Sequence, residues 1–230
     1  MRLTVRAATH LTPQQIRESP LFKKWTSSLN DDRHQRVVVN DIDVRGGEIH
    51  TLHLTVDGKG WPERLTLCAE TVNVLVILSD GARKRIAFVS RYCAGVGHRV
   101  LSNPEGTVRE GETRKEAAVR IVREALGLPE GLRMQVGKLI SRPCLPAPGM
   151  TNEKVHFMRV TIQTSSARLW ELVRQLAGTE TGDDEEAGKL VVRVAHYVGA
   201  LELFLDAETA EENPPVDGRT LQALTYDMIR

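Results

Sequence analysis

The stretch 106–128 constrains this chain more than any other. A loop carrying Gly106 and Gly111 runs into a helix whose two ends are both written in the residues. Thr113 supplies an N-cap oxygen, and Glu116, three residues on, completes a capping box. Gly127 stands just past the last turn, where a left-handed residue ends a helix. Between them Ala117, Ala118, Ile121, Val122, Ala125 and Leu126 recur at helical spacing and form one apolar side. Such a side must be buried against another element, so a layered domain follows.

The surrounding pattern supplies the layers. Residues 72–78 are almost continuously apolar, as in a strand buried on both faces. Asp80-Gly81 then turns the chain into a second strand over 85–91. Further strands are expected over 135–140, 154–162 and 190–195, with helices over 166–176 and 218–230. The segments 95–111 and 180–186 read as loops, the second of them acidic. The N-terminal part differs in texture. Thr12 and Pro13 open a helix expected to run to about residue 29. Strands follow over 36–44, 48–56 and 64–70, with Gly46-Gly47 and Asp57-Gly58 as turns. The order predicts an α/β protein with two parts: a small helix and antiparallel sheet unit over 1–70, and a larger α/β domain over 71–230.

Composition narrows the partners. Hydrophobic residues make up 41% but aromatics only 4%, so the core must be built of Val, Leu, Ile and Ala. With 31 basic against 30 acidic residues, net charge does not indicate nucleic acid or membrane. Basic residues nevertheless crowd between Arg83 and Arg123. No apolar run approaches the ~20 residues that span a bilayer. Cys68, Cys93 and Cys144 are odd in number and widely spaced, which fits reduced thiols in an intracellular protein. Cytoplasmic location is the reading; two early arginines with no acid before Glu18 give only a faint organelle-targeting signal.

Gly106, Glu112, Arg120, Val122, Glu124, Gly127 and Leu128 fall at the spacing of the Nudix box, and the segment resembles that family. The stretch Pro148-Gly149-Met150-Thr151-Asn152-Glu153 is similar to the loop that supplies an acidic residue in ADP-ribose and ADP-sugar pyrophosphatases. Residues 19–25 and 213–219 look like parts of the plant and fungal ADP-sugar diphosphatases. The resemblance implies a Nudix-type α/β/α sandwich that splits a nucleoside diphosphate sugar, ADP-ribose or ADP-glucose, into AMP and a sugar phosphate. It also implies Mg²⁺ or Mn²⁺ as cofactor and a homodimer, with the N-terminal sheet as dimerisation unit.

Diphosphate hydrolysis uses divalent cations to neutralise phosphate oxygens and activate water. Carboxylates three and four apart project from one helix face and gather such ions. The family places them at positions 121, 124 and 125; here only Glu124 remains, beside Ile121 and Ala125. The implied metal ligands are therefore Glu124 and, as a partial replacement, Glu105. The implied catalytic residues are Glu153 and Glu124. Arg91 is the candidate substrate-binding arginine, since Cys93 stands where relatives often carry one. Gly106, Glu112, Arg120 and Gly127 have structural roles in the box, Arg120 bracing the loop through Glu112. The seven histidines show no metal spacing. Three readings stay open: a weakened pyrophosphatase, a catalytically inactive nucleotide- or RNA-end-binding module, and an assembly subunit.

Overall fold

The structure is a computed structural model that describes residues 2–5, 10–27, 36–45, 48–57, 62–93, 97–147, 150–184, 188–197 and 216–228. The expected turn residues Gly46, Gly47 and Gly58, the Pro148-Gly149 pair and Asn213-Pro214-Pro215 lie outside them. The chain divides into two units. The first comprises Met1–Glu70 with Cys144–Val155, the second Thr71–Pro143 with His156–Arg230.

In the first unit, Thr12 caps α1 (Pro13–Glu18) through a full capping box with Gln15. The single helix expected up to residue 29 is instead two, α1 and α2 (Pro20–Ser27). Pro20 is the cause: the residue before a proline is pushed out of the α region, and Ser19 has ψ 141°. Four strands form a sheet in the order β1 (Arg2–Val5), β2 (Arg36–Arg45), β3 (Glu48–Asp57), β4 (Pro62–Cys68). The last three are antiparallel, as expected, but β1 joins β2 in parallel. Strand alternation makes one face apolar, and there Val37, Val39, Leu52, Leu54, Val56 and Leu67 pack with Ile16, Phe22 and Trp25 of the helices. The segment 144–155 is tied to β4 by backbone bonds, Thr66 donating to the Met150 carbonyl and accepting from Asn152.

The second unit is built on an eight-stranded sheet. Its main order is β11 (Glu180–Asp184), β12 (Gly188–His196), β6 (Lys84–Cys93), β5 (Thr71–Ser79), β10 (Val155–Gln163), β9 (Met134–Lys138). Strand β7 (His98–Ser102) pairs with β6, and β8 (Glu105–Thr107) pairs with β5. Central β5 is buried along its whole length, as its apolar run predicts. Val72, Val74, Val76 and Leu78 face α3 (Arg114–Leu126) and α4 (Ser166–Leu176) in one core. Leu75 and Ile77 point to the other face, where α5 (Gly218–Met228) packs on β5. The result is the expected α/β/α sandwich. Its core is aliphatic, with Phe88 and Phe157 the fully buried aromatic residues among those described in this unit.

Two expected loops contain strands. The segment 95–111 includes β7 and β8, and the acidic run begins as β11, paired with β12 at Glu180↔Val191 and Thr181↔Leu190. No helix among the described residues is long and apolar enough to cross a membrane. All three cysteines are free thiols.

Candidate functional site: the 106–128 loop and helix

Strand β8 brings the start of the box to the middle of the sheet. Thr107, Gly106 and Glu105 pair with Thr71, Val72 and Asn73 of β5. Gly106 sits against α3 so closely that a Cβ there would stand 3.0 Å from Ile121 Cγ1. A methyl there would force the Ile121 side chain to give by a few tenths of an ångström, so glycine suits the close approach of strand and helix. The chain then loops to α3, with Gly111 at φ +76° and a backbone bond from Glu112 to the Arg109 carbonyl.

Arg120 ties this loop to the helix. Its guanidinium donates two bonds of 2.8 Å to the two oxygens of Glu112 and another of 2.8 Å to the Thr107 carbonyl. Glu112 also accepts from the Arg109 amide at 3.0 Å. The Arg120 bonds hold the Glu112 carboxyl below its ordinary value against a smaller opposing effect of burial. The same contact raises Arg120. This bidentate fork fixes the loop geometry from both ends. At the far end, Thr113 and Glu116 form the capping box, and Gly127 adopts φ 62°, ψ 35° as the left-handed cap.

The carboxylates behave differently from a metal cluster. Ile121 and Ala125, on the same helix as Glu124, are 4% and 9% exposed and belong to the sheet-facing core. Glu124 points outward, 54% exposed, and is flanked by two cations: Arg120 at 3.1 Å and Arg109 at 3.3 Å. Glu105 is 16% exposed and spent on both oxygens. One accepts from Arg219 of α5 at 2.7 Å, the other from Asn73 at 3.0 Å. Asn73 in turn accepts from Asn103, so Glu105 closes a buried polar chain. Among the described residues no group of three His, Cys, Asp or Glu side chains is placed to hold a metal ion. A divalent ion at Glu124 would have to displace two guanidinium groups and find its other ligands in water. The residues present do not fit Mg²⁺ or Mn²⁺.

Arg91 is half-buried on β6, opposite Val100 of β7. Glu153 belongs to the first unit. There it lines an open hollow of about 960 Å³ on the polar face of the sheet, with His53, Arg64, Thr66 and Cys68. Its amide donates to the Thr151 hydroxyl. The partners that occupy Glu124 and Glu105 were not legible in the sequence. Arg109 lies 15 residues from Glu124, and Arg219 lies 114 residues from Glu105. Only the 120/124 pair carries a helical spacing that announces itself.

No family model and no curated protein matches the chain. Among solved structures, one titled "Crystal structure of ADP compounds hydrolase" is similar over 88% of this chain and 95% of that one, at 18% identity and a TM-score of 0.49. Likeness at that level bears on neither activity nor substrate.

Proposed function

We propose that this chain is a Nudix-type module that binds a nucleoside diphosphate sugar of the ADP-ribose or ADP-glucose class without metal-dependent hydrolysis. One observation carries the reading: the three ligand positions of the box helix hold a buried isoleucine, a buried alanine and a glutamate held by two arginines. Mg²⁺ keeps several waters but needs at least one or two carboxylates that are free to coordinate. The loop geometry, in contrast, is fully braced through Glu112 and Arg120. Selection on a binding or scaffold role would preserve that brace while releasing the carboxylates.

The competing reading is a weakened pyrophosphatase using Glu124 with Glu153 or Glu105. Its support is the seven box residues at the family's spacing. Calorimetric titration with ADP-ribose and ADP-glucose, once in EDTA and once in Mg²⁺, separates the two. The binding module gives the same isotherm in both. Binding that appears only with Mg²⁺ contradicts it, and absence of any binding leaves the assembly role instead.

A further inference from the structure

A second feature lies at the other end of the central strand. From Asn73, which contacts Glu105, to the turn after Ser79 is six residues of extended chain, or roughly 20 Å. At that end the hairpin between β5 and β6 carries Arg83, Lys84 and Arg85 in succession. Trp170 stands on the outer side of α4, half exposed, while Leu169, Leu172 and Leu176 supply that helix's core contacts. The Arg83 and Arg85 guanidinium carbons lie 5.7 and 5.3 Å from the Trp170 ring centroid. Lys84 projects to the opposite side of the strand, with its ammonium 5.2 Å from the Tyr197 ring. Arg174 is exposed one helical turn beyond Trp170.

The charge here is unbalanced. Arg85 is only 8% exposed, yet its hydrogen-bond partner is the ring nitrogen Nδ1 of His196, a neutral acceptor. Among the described residues no carboxylate forms an ion pair with Arg83, Lys84, Arg85 or Arg174. The adjacent Asp80 accepts from the Ser166 hydroxyl and from the Ala82 and Arg83 amides of the turn, and its charge offsets only part of the Arg83 charge. Glu171 is paired with Arg168. A mostly buried guanidinium stays charged and gains from an incoming anion. A half-exposed indole beside guanidinium planes is a surface on which a flat ring stacks.

We propose that this basic–aromatic patch binds single-stranded nucleic acid. One base stacks on the Trp170 and arginine planes, and neighbouring phosphates pair with Arg83 and Arg174. A duplex does not fit the platform, because its bases are already stacked. An acidic peptide would satisfy the cations but leave the indole unused. The overall balance of charge in the sequence hides the patch, because acidic residues elsewhere cancel it.

Fluorescence anisotropy of a short fluorescein-labelled oligouridylate, titrated with the full chain, tests this. Two phosphate contacts predict a slope of about −1.4 in log K against log salt. Trp170→Ala is expected to weaken binding at least about fivefold, the lower end of one lost base stack. Arg83→Glu with Arg174→Glu is expected to weaken it further, while Arg133→Glu, an exposed charge reversal elsewhere in the same unit, leaves it unchanged. Absence of binding, equal binding by the Arg83→Glu/Arg174→Glu variant, or equal loss with Arg133→Glu overturns the proposal. So does displacement of the label by polyglutamate as effectively as by unlabelled oligouridylate, which would reassign the patch to acidic peptides. The charge variants lie outside the core, so the test survives if Trp170→Ala folds poorly.

Discussion

Replacing Arg120 by alanine tests how much the box loop depends on its brace. Arg120 makes two 2.8 Å bonds to Glu112 and one to the Thr107 carbonyl, with side-chain exposures of 19% for Arg120 and 14% for Glu112. Its contact with the exposed Glu124 is worth little. Breaking a fully buried ion pair by removing one partner costs about 3–5 kcal/mol. Partial access to water reduces that here to roughly 2–3 kcal/mol, since the stranded carboxylate recovers some hydration. For a chain of this size, one kcal/mol shifts Tm by about 2–4 °C, so a fall of roughly 4–12 °C is expected. Arg120→Lys should recover only part of it, because an ammonium cannot reproduce the fork. The pH dependence adds a sign. Glu112 is depressed in the folded state, so its contribution is present above the ordinary carboxylate value of 4.5 and is lost as pH falls through the folded value. The gap between wild type and Arg120→Ala should therefore narrow in acid. Melts followed by circular dichroism at pH 7 and pH 3 read both effects. A shift below about 1 °C at pH 7, or a gap that widens in acid, would refute the reasoning.

Three further outcomes follow from other contacts. Gly106→Ala places a methyl 3.0 Å from Ile121 Cγ1 and should cost about 1–2 kcal/mol in urea unfolding; adding Ile121→Val, which removes Cδ1 but keeps the γ carbon, should recover only part of it. Ile121→Glu buries a carboxylate at a position only 4% exposed and should destabilise by several kcal/mol, more at pH 8 than at pH 5, because burial raises that carboxyl and deprotonation then opposes folding. Burial and the Asp227 bond push the Tyr197 phenol up to about 12, so one of the three tyrosines should ionise late in an ultraviolet absorbance titration. Tyr197→Phe should remove that late step. Because the shift is upward, its stabilising effect is complete below pH 10 and fades as pH rises through 12.

The legible parts of this fold were those with local chemical signals. The capping box of α3, the N-cap at Thr12 and the left-handed Gly127 could be read from single residues, because each satisfies backbone groups within a few positions. The buried strand β5 announced itself by an unbroken apolar run. The break before Pro20 was written in the sequence but outweighed by the apolar spacing on either side of it. Strands β7, β8 and β11 were hidden for a physical reason. They are three to five residues long and held by pairing with a neighbour, and β11 carries acidic residues with low strand preference. At the site, that positions 121 and 125 hold isoleucine and alanine beside Glu124 was visible at once. That Glu124 and Glu105 are occupied by Arg109, Arg120, Arg219 and Asn73 was not, since three of those four partners are set by tertiary packing rather than spacing.

The proposed reading is that the helix from Arg114 to Leu126 does not assemble a metal site able to hydrolyse a diphosphate. It is tested most directly by AMP release from ADP-ribose and ADP-glucose, first in Mg²⁺ and then in Mn²⁺, with EDTA as the blank. The account predicts no release above the blank for the wild-type chain with either metal. Metal-dependent release that Glu124→Gln abolishes would contradict it, and would show that Glu124 leaves its two arginines to take up the ion.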